Sequence, residues 1–323
     1  MNPFKLPVLL CLLFLLAACG NPDRTFLTIG TGSQTGVYYP VGNVIKQVVE
    51  NESEGRLRLS VATSGGSVQN INDVMSGAIQ FGIAQADRQY QAVNGLSNWE
   101  DAPQSNLRFA FSLHPEVVTL IASEDSGIRT LEDLRGKRVN IGSPGSGQRG
   151  NALDILHAVG IDPENDLRAL SLSVGECAGR LQDGLMDAYF YTVGHPNGSI
   201  TEATTGRLRV RFVPITGVED LIEASPFYSL TEVPVELYPR ALQEGPVPSI
   251  GMLTTVVTHA DISDDLVYEV VKAVFENLDD LRQQHQALSQ LTPEGMLQGQ
   301  NAPFHPGALR YFREAGLVTE DAE

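Results

Sequence analysis

The feature that most constrains the fold of this 323-residue chain is a recurring order of elements: a short apolar strand, a loop rich in glycine and serine, then an amphipathic helix. Residues 26–29 read as a strand running into Gly30-Thr31-Gly32-Ser33-Gln34-Thr35-Gly36. Val41, Val44, Ile45, Val48 and Val49 then fall at helical spacing within 37–50. Residues 57–63 alternate apolar and polar side chains as a second strand, and Ser64-Gly65-Gly66-Ser67 leads into a helix carrying Val68, Ile71, Val74 and Met75. Residues 81–84 form a third strand that ends at Gln85. Such alternation predicts a parallel α/β architecture.

The same order restarts at residues 139–142, which open onto Ser143-Pro144-Gly145-Ser146-Gly147 ahead of a helix over 151–159. The restart places a boundary near Ile121, with one lobe over 24–120 and 253–323 and the other over 121–252. Further strands are expected at 109–113, 117–122, 188–191 and 252–258, and a helical turn over 131–137 closed by Gly136. Ser263 is expected to cap a late helix, with Asp264 and Asp265 complementing its dipole and Leu266, Val270, Val274 and Leu278 along one face. Residues 282–301 read as helix and loop.

Residues 1–19 carry the compartment. One positive charge, Lys5, precedes an apolar run over 6–16 that closes on Leu16-Ala17-Ala18-Cys19. The run is too short to cross a hydrocarbon core of about 30 Å, so it reads as a secretory signal ending in a lipobox. Cys19 is then the lipid attachment site, its acyl chains supplying the two anchors that durable membrane binding needs. The expected product is a periplasmic, lipid-anchored monomer. Gly20 rather than aspartate follows Cys19, which leaves the choice of membrane open.

Removing Lys5 with the signal leaves 22 − 1 = 21 basic side chains against 39 acidic, a net charge of −18. Such a surface repels nucleic acid and anionic headgroups, so no nucleic-acid partner is expected. With Cys11 removed and Cys19 acylated, Cys177 stands alone as a small buried residue, no internal disulfide can form, and apolar cores must hold the fold.

Three loops carry the chemistry: 30–39, 64–67 and 142–148. Each joins a strand to a helix and can offer hydroxyls and unpaired helix N-terminal N–H groups to an anion. Any one of them reads equally well as a tight connection, but three converging at the carboxyl ends of strands would build a polar cleft for a small carboxylate. A nucleotide fits poorly, because residues 30–36 lack a Gly-Lys-Ser/Thr ending and Gly142, Gly145 and Gly147 have the wrong spacing for a dinucleotide turn. The six histidines show no metal-ligand spacing and no nucleophile elbow is present, so no metal, no cofactor and no catalytic set is expected, and the chain does not read as an enzyme.

Several motifs in order, Ile29-Gly30-Thr31-Gly32 with Thr35-Gly36-Val37-Tyr38-Tyr39-Pro40, Thr63-Ser64-Gly65-Gly66-Ser67-Val68-Gln69-Asn70, Ile83-Ala84-Gln85-Ala86-Asp87, Gly142-Ser143-Pro144-Gly145-Ser146-Gly147 and His305-Pro306-Gly307-Ala308-Leu309-Arg310-Tyr311, resemble the TAXI family, the solute receptors of TRAP transporters. The resemblance spans nearly the whole mature chain. It implies a type II periplasmic-binding-protein fold: two α/β lobes joined by crossing hinge strands, closing on a small organic acid or amino acid, glutamate-like dicarboxylates foremost. It also implies a TRAP membrane permease as partner.

Carried over by position, the resemblance implies ligand contacts from Ser33, Thr35, Val37 and Tyr38 in the first loop, Gly66 and Ser67 in the second, and Gln85 and Asp87 at the third strand. Ser146, Gly147 and Gln148 would serve from the distal lobe. Asp87 reads either as the acceptor of a ligand ammonium or as a helix cap. Arg88 and Arg149 depart from the family pattern; each could clamp a carboxylate, though each more often lies at the surface. Tyr189, Phe190, Tyr191, Phe227 and Tyr228 supply either an aromatic wall, with Tyr191 the chosen contact, or core. A second reading of the whole is a membrane-tethered ligand sensor or scaffold acting on a protein partner.

Overall fold

The computed structural model describes residues 24–243 and 245–320; the lipobox and the Cys19 attachment site lie outside the described residues. The chain opens with β1 (Thr25–Gly30), α1 (Tyr38–Glu52), β2 (Leu57–Ala62), α2 (Ser67–Met75), β3 (Phe81–Gln85) and α3 (Ala86–Asn94). β1 pairs in parallel with β2 and β3, as the strand-loop-helix order predicts. β3 is buried at every position, the pattern of a parallel strand covered on both faces.

The residues expected as two strands, 109–113 and 117–122, form one strand, β4 (Leu107–Ser123), of 17 residues. Pro115 sits inside it without ending it. It stands opposite Leu253 next to a register shift, where a missing N–H costs no regular ladder bond.

The second stretch holds β5 (Arg138–Asn140), α4 (Gly147–Ala158), β6 (Arg168–Leu170), α5 (Cys177–Gln182), β7 (Ala188–Val193), α6 (Gly198–Thr205), β8 (Val210–Val213), α7 (Glu219–Glu223), β9 (Ser229–Val233) and β10 (Val247–His259). The chain then closes with α8 (Asp264–Glu276), α9 (Leu278–Gln284) and α10 (Pro306–Glu314). Three of these strands, β6, β8 and β9, were not anticipated; they are short, and β6 and β9 are largely exposed, so no apolar run marks them. α4 starts at Gly147, inside the expected loop.

The strand order is β2-β1-β3-β10-β4-β7-β5-β6, with β8 added on β4 and β9 on β10. β10 pairs antiparallel with β3 from Thr254 to Thr258 and with β9 from Val247 to Gly251. β4 pairs with β7 from Val117 to Ala122 and with β8 from Leu120 to Ser123. The two long strands therefore change partners where Val117 faces Gly251, and the chain crosses there between two α/β lobes.

Apolar cores flank the sheet. Val41, Ile45, Phe111, Val271, Phe275 and Phe312 share one, with Phe275 and Phe312 ring centroids 5.1 Å apart. Val118, Leu120, Val139, Ile155 and Phe190 form another beneath α4. Cys177 is buried, accepts from Asn140 Nδ2 at 3.0 Å, and its thiol is pushed up to about 12 by burial, as suits a structural residue. Ser263 does precede α8, but its side chain makes no cap hydrogen bond. Leu278, expected on the α8 face, begins α9, because Asn277 leaves helical geometry at ψ 32°.

Gly251 tests the crossing. A Cβ there would stand 2.8 Å from the Glu116 carbonyl oxygen, a backbone atom that cannot rotate away. Gly251→Ala is expected to cost about 1–3 kcal/mol by overpacking, read as a lower urea midpoint at unchanged slope. An unchanged midpoint would show that the crossing has slack.

Candidate ligand-binding site

α1, α2 and α4 begin at the carboxyl ends of β1, β2 and β5, and their opening residues surround one interlobe cavity of about 100 Å³. Gly66 precedes α2 at φ 112°, a conformation that disfavours any side chain, and a Cβ there would lie 3.5 Å from Ser146 Cα. The two lobes touch beside the cavity: Gln69 N–H donates to the Gly145 carbonyl at 3.1 Å. Ser146 caps α4 by accepting from Arg149 N–H at 3.3 Å. Gly147 and Gln148, whose amides lie in the first turn with no carbonyl one helical turn back, line the cavity beside Ser67.

Glu116 also lines the cavity, and sequence reasoning missed it. Tyr38 Oη donates to its Oε2 at 2.8 Å. Burial pushes the Glu116 carboxyl up to about 8; Asp87 adds to the rise, while hydrogen bonds from Tyr38, Thr254 and Gln85 oppose it. At neutral pH the group is therefore mostly protonated, and the cavity holds no strong fixed negative charge. A signal was present: Glu116 is the single Asp, Glu, Lys or Arg between residues 109 and 123. Thr192 and Val193 on β7, and Ser173 and Val174 before α5, are further wall residues that no loop motif marked.

Of the residues expected to contact a ligand, the structure brings Ser33, Val37, Tyr38, Gly66, Ser67, Gln85, Ser146, Gly147, Gln148 and Tyr191 to the cavity wall. Thr35, Asp87 and Arg149 are not on it. Thr35 shares a 3.0 Å hydrogen bond with Ser33 and faces an outer groove beside Pro196 and Ser199. Arg149 turns back on its own lobe, donating to the Gly142 carbonyl at 3.2 Å and to Ser171 Oγ at 2.8 Å, so it clamps nothing in the cavity.

Asp87 is the larger correction. It is fully buried, and its carboxylate accepts from Arg88 N, Nε and Nη2 at 2.7, 3.0 and 2.9 Å, from Tyr228 Oη at 3.2 Å and from Asn151 Nδ2. Its acceptor capacity is spent, leaving none for a ligand ammonium. Nor is it the helix cap: Gln85 holds that position without a side-chain cap bond, and Asp87 lies in the first turn of α3. Arg88 is equally buried and reaches across the cleft to Asp154 Oδ2 at 2.8 Å. Burial opposes its charge, yet Asp87, Tyr228 and Asp154 outweigh that and hold it cationic. Tyr228 belongs to this cluster and packs on Phe227, so neither walls the cavity.

N–H donors thus lie at the helix starts, and Glu116 adds a mostly protonated carboxyl to the wall. Among the described residues no group of His, Cys, Asp and Glu is placed to hold a metal ion.

The proton on Glu116 has a stability consequence. The folded protein binds it up to about pH 8, whereas the unfolded chain releases it near 4.5, so stability falls as pH rises between those values. His114 and His195 are held down at about 3 and about 4 by burial, with His285 adding to the effect at His114; their contribution is lost as pH falls below 6.5. Between pH 6.5 and 8, Glu116 is expected to add a decline of at most about 1.4 kcal/mol per pH unit. Urea unfolding across that window should show Glu116→Gln with the flatter profile; parallel profiles would exclude a buried protonated Glu116.

Comparison with known proteins agrees with this architecture. A binding protein component of an ABC phosphonate transporter from Pseudomonas aeruginosa superposes with a TM-score of 0.53 at 14% identity, over 82% of this chain and 80% of that one. A protein from Bordetella bronchiseptica RB50 gives 0.52 at 13% identity, over 93% and 92%. An ancestral arginine-binding protein bound to arginine gives 0.50 at 14% identity, over 82% and 99%. At such identities the likeness is one of fold: two α/β lobes in the manner of the periplasmic binding proteins. The sequence profile of the NMT1-like family matches residues 29–316, nearly the full length, and the chain belongs to that family.

Proposed function

We propose that the protein is an extracytoplasmic solute-binding receptor that captures a small organic acid or amino acid between its lobes and delivers it to a membrane permease. The observation that carries this reading is the convergence of α2 and α4, from opposite lobes, on one small cavity. Helix N-termini favour anions. A protonated Glu116 removes the charge that would repel one. A cavity of about 100 Å³ is well below the roughly 300–1,000 Å³ of drug-sized sites and suits a small metabolite. The structural neighbours named for phosphonate transport and arginine binding share the two-lobed fold.

The finer reading is a TAXI-type receptor of a TRAP transporter with a glutamate-like dicarboxylate as ligand. It rests on the motifs in residues 29–40, 63–70 and 142–147, which surround the cavity. Acylation at Cys19 would hold the receptor near its membrane and raise its effective concentration at a permease there. The role we propose is binding rather than catalysis, in keeping with the binding proteins that share the fold.

Thermal melting of the chain from Gly20 onward, against amino acids, dicarboxylates and keto acids, tests the reading. A ligand at a hundred times its dissociation constant should stabilise the protein by about 2.7 kcal/mol, several degrees in midpoint. In Gly147→Ala the new Cβ would stand 1.6 Å from Gln85 Oε1 and 2.9 Å from Ser67 Oγ, crowding the cavity. Affinity is expected to fall tenfold or more in that variant. A wild-type midpoint unmoved by the whole panel would remove the small-acid reading.

A further inference from the structure

Glu116 is the one acid on the cavity wall, and among the described residues no lysine, arginine or histidine shares that wall with it. The side chains that act on its charge, Tyr38, Asp87, Thr254 and Gln85, include no base either. Burying an acid with no cation beside it is unfavourable, and the empty cavity holds it in the neutral form.

A chain of donors nonetheless ends on this acid. Gln85 N–H donates to Ser67 Oγ at 3.1 Å, Ser67 Oγ lies 3.5 Å from Tyr38 Oη, and Tyr38 Oη donates to Glu116 Oε2 at 2.8 Å. Burial and the neighbouring Glu116 push the tyrosine well above its ordinary range, so Tyr38 keeps its proton and stays a donor. Thr254 and Gln85 add hydrogen bonds to the same carboxyl, and an ionised carboxylate accepts about four, which leaves a place for one more donor. Ser67 opens α2, so the acid and a helix start stand one hydroxyl apart.

We propose that Glu116 receives the ammonium of an amino-acid ligand whose carboxylate lies at the starts of α2 and α4, and that the Glu116 proton leaves to solvent as the ligand enters. This rests on the small-acid reading above. Glu116 fills the part that Arg88 denies to Asp87: the ligand brings the cation that the wall lacks, and a charge-assisted bond replaces the proton. The carboxyl O–H bond breaks, the buffer takes the proton, and the ligand ammonium stays intact. The titratable groups around Glu116 are Tyr38 from α1, Asp87 from α3, His114 from its own strand and Tyr191 from β7. Asp87 is paired with Arg88, His114 is held down at about 3, and burial raises both tyrosines, so none of these exchanges a proton near neutral pH. β10 and α2 add Thr254 and Ser67, which do not titrate, and α4 presents Gln148 across the cavity. An acid without an amine brings only negative charge to this wall.

The test titrates L-glutamate, glutarate and 2-oxoglutarate calorimetrically into the chain from Gly20 onward and into Glu116→Gln, in phosphate and in Tris, buffers that differ in heat of protonation. The wild type is expected to bind L-glutamate about tenfold or more tightly than either acid lacking the amine. Near pH 7 it should release close to one proton per L-glutamate. Affinity for L-glutamate should rise by about tenfold per pH unit and level off above about 8, because the empty site holds a proton that the loaded site does not. Glu116→Gln should lose the proton release, the pH dependence and the preference together. A merely structural role for Glu116 would lower all three affinities alike in the variant and leave the preference standing. If Glu116→Gln does not fold, the proton count from the two buffers decides on the wild type alone. A heat of L-glutamate binding that shows no proton release, a preference for glutarate or 2-oxoglutarate, or a preference unchanged in the variant overturns the proposal. If none of the three acids binds, the small-acid reading and the role of Glu116 fall together; if they bind without proton release, only the role of Glu116 falls.

Discussion

β4 and β10 run antiparallel from Leu107 beside His259 to Val117 beside Gly251, and beyond that point each takes partners in the second lobe. Every other element is placed by this pairing. It joins the parallel strands β2, β1 and β3 to β7, β5 and β6 in one sheet order, and it sets the carboxyl ends of β3 and β5 facing each other across a gap. Glu116 lies at the crossing, opposite Met252, so the strand that joins the lobes also furnishes the cavity with its carboxyl group.

Beside the cavity the lobes meet through polar groups. Asp87 and Arg88 of the first lobe join Asn151 and Tyr228 of the second in a buried cluster that reaches water only at its edge, through the partly exposed Asp154. Ion pairs buried this deeply contribute little net stability, because desolvation offsets their attraction, but they are intolerant of displacement. Their geometric demand suits a place where two lobes must meet in one arrangement. Asn197 Nδ2 bonding the Thr35 carbonyl at 3.0 Å gives a second contact of this kind on the other side of the cavity.

The local grammar of the fold was legible in the chain. Strand-loop-helix periodicity located β1 through α2, β3 and α4, because amphipathic spacing and glycine-rich turns are properties of neighbouring residues. The same reasoning split β4 at Pro115, since the bulged pairing that accommodates a proline there depends on β10, about 140 residues away in sequence. It passed over β6, β8 and β9, which are three to five residues long and owe their form to a partner strand.

The candidate site divides along the same line. The Gly- and Ser-rich loops marked Ser33, Gly66, Ser67, Gly147 and Gln148 because backbone N–H groups at helix starts are a local consequence of where a helix begins. The sequence by itself determined the α/β alternation, those anion-friendly helix starts, an acidic composition and a single cysteine, Cys177, among the described residues. Only the tertiary structure decided the fate of the charges. Asp87 was withdrawn from the cavity by Arg88 and by Asn151, 64 residues on, and Glu116 was brought into it as a mostly neutral acid beside Tyr38, 78 residues earlier. A side chain's ionisation and direction follow from burial and from partners distant in sequence, and neither is written in its neighbours.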